Sequence, residues 1–271
     1  MRRLLFRAAI SIGFSLIFSI GILAALHSTP IVLARPAGSI VTCTGSIQTC
    51  INSASVGDTI VITPGTYIES LTLNKAVSLT GKSALSVTIK AISAQRVLTV
   101  TGSSISNSVI ISGLTFAGGN ITAANCFFDT RYCGGGILIT GTAKPIIQNV
   151  IISNNLASGG GGIYVRNGSA VKLINSIVIS NASTSLDGGG MFANGSVELL
   201  NSRFESNRTT CAGCAGGAID TGAGISATGT VFISNTARGN GGGVIVTFGL
   251  ARFTSSRFEN NVSVSSNGGG L

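Results

Sequence analysis

The feature that most constrains this chain is a glycine tract followed by an apolar residue that returns about every 27 residues. GGGIL closes its glycines at Gly136, GGGGIY at Gly162, GGGMF at Gly190, GGAI at Gly217, GGGVI at Gly243 and GGGL at Gly270. The intervals are 26, 28, 27, 26 and 27 residues. A second landmark repeats independently, an apolar residue followed three later by asparagine: Ile152 to Asn155, Val178 to Asn181, Phe204 to Asn207, Phe232 to Asn235 and Phe258 to Asn261. These asparagines lie 26, 26, 28 and 26 apart. Glycine loses more backbone entropy on ordering than any other residue, so such tracts fold only where neighbouring structure holds them. A repeat of this length marks a stacked array in which each unit buries its face against the next.

Inside one period the apolar residues alternate, as in Ile163 and Val165 and then Val171 and Leu173, before a break near Asn175. That is a strand rhythm and not a helical one. Three short strands with their turns fill one coil, and the sequence is therefore expected to form an all-β, right-handed parallel β-helix. Equivalent residues on successive coils then stack at roughly 4.8 Å. Each glycine corner supplies positive φ and close backbone approach. Asn155, Asn181, Asn207, Asn235 and Asn261 form a structural ladder, bonding to backbone and to one another. Phe204, Phe232 and Phe258 continue Val178 and Ile152 as an inner column. Composition agrees: 38 glycines, no tryptophan and only 9% charged residues.

The first half reads differently. Ile47, Ile51 and Ala54 share one helical face, followed by a turn at Gly57-Asp58 and strands at Thr59–Thr63, Leu71–Leu73 and Val77–Thr80, with a turn at Pro64-Gly65. A short helix here is expected to cap the open end of the solenoid, hiding strand edges that would otherwise pair with another molecule. Before it, Arg2, Arg3 and Arg7 precede an apolar run from Ala8 to Leu26. That is the pattern of an export signal, with small residues for cleavage at Ala25, Ser28 or Ala34. The run also has the length of a retained anchor. The chain is thus divided into a leader at 1–34 and a β-helix domain at 35–271. Its end at Gly270-Leu271, without a polar cap, gives the expectation that the solenoid continues and that a further anchor lies beyond.

Export bears on the charge and the cysteines. The formal charge is +9; setting aside the three leader arginines leaves +6. Lys75, Lys82, Lys90, Lys144 and Lys172 are isolated from one another, and no basic cluster interleaved with aromatics occurs, so no nucleic-acid partner is expected. The six cysteines Cys43, Cys50, Cys126, Cys133, Cys211 and Cys214 suggest disulfides, with the close pairs 43–50, 126–133 and 211–214 favoured. Zinc ligation and a redox role for Cys211-Ala-Gly-Cys214 are the alternatives. Counted from their glycine corners, Cys133 and Cys214 lie three coils apart, about 14 Å, too far for one metal.

Chemistry is sparse. The single histidine, His27, lies in the leader, which argues against imidazole-activated nucleophiles. The acids are Asp58, Glu69, Asp129, Asp187, Glu198, Glu205, Asp220 and Glu259. Asp187 falls three before its corner glycine and Asp220 three after its own, an arrangement expected to send them to different parts of the coil. Glu205 and Glu259 share a register two coils apart, but Arg203 and Arg257 flank them and favour surface ion pairs. Tyr164 and Phe192 follow corner glycines on adjacent coils, where they either pack or offer a shelf to sugars. No catalytic, metal or cofactor residues are assigned.

The stretch Ile47 to Gly81 resembles the N-terminal signature of the pectin-lyase-like superfamily of right-handed parallel β-helices. The likeness is carried by Gly57-Asp58-Thr59-Ile60, Pro64-Gly65-Thr66-Tyr67, Glu69, Lys75 and Leu79-Thr80-Gly81. The later repeats are similar to those of chlamydial polymorphic outer membrane proteins, most closely at Gly216-Gly217-Ala218-Ile219 with Phe232-Ile233-Ser234-Asn235. The two resemblances span about residues 46 to 271. They imply the fold and constrain function only loosely; the leader, the regular coils and the lack of a catalytic constellation give the expectation of a secreted or surface-attached, adhesin-like scaffold without a catalytic centre, facing polysaccharide or a neighbouring cell. A polysaccharide lyase or glycoside hydrolase is the alternative, since the superfamily holds both.

Overall fold

The computed structural model describes residues 38–121 and 133–271. The leader at 1–34, Cys126 and Asp129 lie outside the described residues. No described helix is long and apolar enough to cross a membrane.

The chain from Gly38 onward winds into a parallel β-solenoid. Each repeating coil carries four short strands, not three, and they stack into four sheets. The nine-stranded sheet runs from Ile40–Cys43 to Ala251–Thr254, and the eight-stranded sheet from Gly65–Ile68 to Arg257–Glu259. The seven-stranded sheet runs from Leu71–Leu73 to Val244–Val246, and the six-stranded sheet from Asn120–Ile121 to Val262–Ser263. Repeat units stay in register: Ile137 pairs with Ile163, Ile163 with Met191, Met191 with Ile219 and Ile219 with Val244. The fourth strand is only two residues long, as at Leu156–Ala157, too short to leave an alternation in the sequence. Gly65–Ile68, read from the sequence as part of a turn, is also a strand.

Two corners of each coil turn on a single left-handed residue. Asn149, Asn175 and Asn201 take φ near +50° at one, and Asn154, Ser180, Ser206 and Ser234 at the other. The residue after the second corner is a buried asparagine. Asn181 donates its backbone N–H and its Nδ2 to Oδ1 of Asn207, both at 3.0 Å. Nδ2 also reaches Ile152 O at 2.9 Å. The same three bonds recur from Asn155, Asn207 and Asn235. A buried amide must satisfy its donors and acceptors, and only an identical residue one coil away fits both sides. A second polar row, Ser176, Ser202, Thr230 and Ser256, lines the other corner, where Ser176 N–H meets Ser202 Oγ at 3.3 Å and Thr230 N–H meets Ser256 Oγ at 3.2 Å. The sequence analysis missed this row because serine and threonine are scattered throughout the chain.

The glycine tracts behave differently from the expectation. Positive φ belongs to the early glycine of each, as at Gly160 (+63°) and Gly188 (+70°), and not to Gly162 or Gly190. The later glycines are needed for space. A Cβ on Gly161 would sit 2.5 Å from Gly189 O, and one on Gly162 would sit 2.5 Å from Gly190 O. Across these tracts the backbone N–H groups bond to the next coil's carbonyls, as Gly162 to Gly189 and Ile163 to Gly190. In the fourth tract Ala218 stands where Gly136, Gly162, Gly190 and Gly243 stand elsewhere. Gly217 therefore aligns with the second-last glycine of the other tracts, and counting from it shifts the register by one residue.

Ile152, Val178, Phe204, Phe232 and Phe258 form one column. Its rings stack, Phe204 on Phe232 at 5.6 Å and Phe232 on Phe258 at 4.7 Å between centroids. At the other end the helix Ile47–Ser53 packs on Ile40–Cys43, Thr59–Ile62 and Leu71–Leu73, burying Ile47 and Ile51. Glu69 accepts the N–H groups of Ile47 and Gln48 at 2.9 and 3.0 Å. Lys75 Nζ donates to the carbonyls of Asn52 and Ala54 at 2.8 and 3.0 Å. Acid at the helix start and cation at its end oppose the partial charges of the exposed peptide groups. A disulfide from Cys43 to Cys50, with Cα atoms 6.0 Å apart, ties the helix to the first strand.

Four substitutions check this account by urea denaturation. Asn207→Ala removes the acceptor of two Asn181 donors and a donor to Val178 O, and should cost about 3 kcal/mol. Asn261→Ala, at the half-buried last rung, should cost about 1 kcal/mol. Equal losses would contradict the ladder's role. Gly161→Ala should cost about 3 kcal/mol through backbone overlap, whereas Ser226→Ala on an outer face should change stability by less than about 0.5 kcal/mol.

Candidate functional site

Residues at the middle of each strand in the seven-stranded sheet point away from the core. Leu138, Tyr164, Phe192, Asp220 and Ile245 make this outer column in successive coils. The first three are almost wholly buried, at 5%, 2% and 5% exposure, and form a cluster separate from the main core. Tyr164 and Phe192 lie 5.7 Å apart, tilted by 34°. They are therefore packed, and the open aromatic shelf considered from the sequence is not formed.

Asp220 follows these apolar residues in the column and is only 6% exposed. The glycine turn explains what stands beside it. Gly188, in its left-handed conformation, folds the chain back on its own strand: a Cβ there would meet Phe192 N at 2.7 Å. Asp187, one residue earlier, is thereby returned toward the outer column beside Asp220. Its Oδ1 accepts the backbone N–H of Ala215 at 2.7 Å, a bond from Asp220's own coil. Burial, reinforced by the negative charge of Asp187, pushes the Asp220 carboxyl up to about 7. The two acids do leave different parts of the coil, Asp187 from the turn and Asp220 from the strand Ile219–Thr221, yet the charge of one acts on the other. Positions counted along the strand ignore a turn that reverses direction, and the slip at Gly217 added an error of one.

The loop that holds Asp187 is itself closed by a disulfide between Cys211 and Cys214, whose Cα atoms are 5.4 Å apart. Thr209 Oγ1 donates to Cys214 O at 3.0 Å, and the Cys211 sulfur lies 3.5 Å from Leu186 O, next to Asp187. Cys133 is fully buried, with its sulfur 3.0 Å from Ser158 Oγ, and no described cysteine is a free thiol. Among the described residues no group of three histidine, cysteine, aspartate or glutamate side chains converges on a metal position.

The other acids are engaged in different ways. Arg203 Nε bonds to Glu205 at 2.7 Å, which holds that carboxyl below its usual range, and Arg257 bonds to Glu259 at 2.7 Å. Glu198 bonds to Lys172 at 2.8 Å on the nine-stranded sheet. Asp58 accepts the N–H groups of Ser39 and Ser55, while Glu69 serves the helix. Arg96 is held down to about 10 by burial. It stands just before the strand Leu98–Thr101, four coil steps from Ile219–Thr221 or roughly 19 Å by strand spacing, so it does not act with Asp220. Asp220, buried and raised, with the charge of Asp187 acting on it from the preceding coil, is the acid that stands apart from these. Aligning Ile219–Thr221 with Ile163–Val165 by their apolar ends would have exposed the shared column in the sequence.

No protein-family model and no curated protein matches the chain. Among solved structures it is similar to a pectin methylesterase from carrot, at 12% identity over 86% of each chain, with a TM-score of 0.47. It is also similar to a pectin methylesterase from Aspergillus niger, at 13% identity over 86% of this chain and 93% of that one, TM-score 0.48. An alginate lyase from Paenibacillus sp. str. FPU-7 matches at 14% identity over 80% of this chain and 100% of that one, TM-score 0.35. No site residue or chemistry is carried over from these proteins.

Proposed function

We propose that the solenoid is an exported, polysaccharide-cleaving protein, a glycoside hydrolase with Asp220 as proton donor and Asp187 as the base that activates water. What supports this reading is the burial of Asp220, whose carboxyl is raised to about 7 by that burial and by the charge of Asp187 from the preceding coil. A glycosidic bond needs both roles at once: a neutral carboxyl protonates the leaving oxygen, and a carboxylate takes a proton from the water that attacks the anomeric carbon. The Ala215 N–H and the disulfide-closed loop orient Asp187 for that task. A lyase is less well supported, because it needs a base beside acids that hold calcium, and among the described residues no such cluster of acids is found. Export rests on Arg2, Arg3, Arg7 and the apolar run to Leu26, with 1–34 as the leader and 35–271 as the solenoid. No cofactor or nucleic-acid partner is proposed, and membrane contact is assigned to the leader or to an anchor beyond Leu271.

The second reading is a non-catalytic surface scaffold, adhesin-like in the manner of the chlamydial repeats, engaging polysaccharide or a neighbouring cell. It is favoured by the closed packing of Leu138, Tyr164 and Phe192, which fills the column beside Asp220 with apolar side chains.

Release of reducing ends from a panel of plant and algal polysaccharides separates the two readings. Hydrolysis should fall at least 100-fold in Asp220→Asn and Asp187→Asn with circular dichroism unchanged, and the wild-type rate should decline above about pH 7 as Asp220 ionises. Absence of any product would leave the scaffold reading, and full activity in Asp220→Asn would remove Asp220 from the catalytic role. Stability gives an independent check. Asp220 holds its proton in the folded state up to about 7 but releases it near 4 when unfolded, so its contribution is complete below about pH 4 and lost as pH rises through 7. Asp220→Asn should therefore stabilise the fold by roughly 2–4 kcal/mol at pH 8 and by much less at pH 4.

A further inference from the structure

The eight-stranded sheet presents an outer face that the acid site does not use. The middle residue of each strand belongs to the inner column, so the residues on either side of it point outward and are partly or fully exposed. Two coils present aliphatic pairs here, Ile177 with Ile179 and Val231 with Ile233. The coil after each presents an ion pair, Arg203 with Glu205 and Arg257 with Glu259, each closed at 2.7 Å. Aliphatic and charged rungs thus alternate, with arginine at the start of the strand and glutamate at its end. The middle outer column of the nine-stranded sheet is polar at the same levels, with Lys172, Glu198, Ser226 and Arg252, so the aliphatic rungs are particular to this wall.

We propose that this face is a self-association surface, and that its occupant is the same face of a second copy of the chain. Charge order selects that occupant. A two-fold axis lying between the two faces and parallel to the solenoid reverses strand direction while keeping coil level. It sets Arg203 opposite Glu205 of the second copy, Arg257 opposite Glu259 of that copy, and the aliphatic pairs opposite one another. An axis along the strands would instead lay the arginine column on itself, which like charge disfavours. Covering the ion pairs strands no charge, because each is already neutral, and every guanidinium gains a second carboxylate. The aliphatic rungs supply the attraction and the charged rungs fix the register. The strip spans three coil steps, roughly 14 Å, the scale of a weak, concentration-dependent dimer and not of an obligate one. Asp220 lies on the seven-stranded sheet, so the inference stands apart from the hydrolytic reading.

Sedimentation velocity of the full chain, from low micromolar to submillimolar concentration, tests it. The wild type should pass from one copy to two as concentration rises. Arg203→Glu with Arg257→Glu makes the face acidic throughout, and Glu205→Arg with Glu259→Arg makes it basic throughout. Each of these variants alone should associate roughly 10-fold more weakly, and a mixture of the two should form a heterodimer. Reversing both pairs together, with all four of those substitutions in one chain, keeps the faces complementary about this axis and should leave the dimer intact. Ile179→Lys with Ile233→Lys should abolish it, whereas Ser226→Lys on the nine-stranded sheet should not. Circular dichroism confirms that each variant is folded. A wild type that stays monomeric throughout, a dimer that persists undiminished in the acidic variant, or folded acidic and basic variants that fail to combine would each overturn the inference.

Discussion

The structure depends on one constraint, that every coil completes the hydrogen bonding of the coil before it with no lateral offset. The asparagine row makes this strict. Asn207 gives both its N–H and its amide hydrogen to Asn235 Oδ1, while its own Oδ1 receives the same pair from Asn181. A coil displaced by one residue would bury these amides unpaired and would also turn the phenylalanine column out of the core. Register is thus fixed by polar satisfaction and apolar burial at the same positions.

Glycine enters because of that closeness. Where coils meet at the tract, Gly161 and Gly162 face the carbonyls of Gly189 and Gly190 with no room for a methyl group. The entropy lost on ordering them is offset by bonds to the next coil and by the burial those bonds allow. The same turn has a chemical consequence. By folding back over its strand it carries Asp187 to where its charge acts on Asp220, the one acid in an otherwise apolar outer column.

The period of the solenoid is written in the sequence because its two strictest requirements, glycine and asparagine, are also its least replaceable residues. The helix is equally legible, through Ile47, Ile51 and Ala54, whereas the grip of Glu69 and Lys75 on its ends emerges only from the structure. The fourth strand was not, since two residues such as Leu156–Ala157 cannot display an alternation. Nor was the acid pair. Its proximity arises from a reversal of the chain at Gly188 and from Ala218 standing where other coils have glycine, and neither follows from counting along a repeat.

Site-resolved amide hydrogen exchange tests the coil-to-coil bonding most directly. The backbone amides of Asn181 and Asn207, and those of Gly161 and Gly189 within the tracts, should exchange as slowly as the inner strands and be released together with them on unfolding. Tract amides exchanging at the rate of an open loop, while the strands stay protected, would contradict the account.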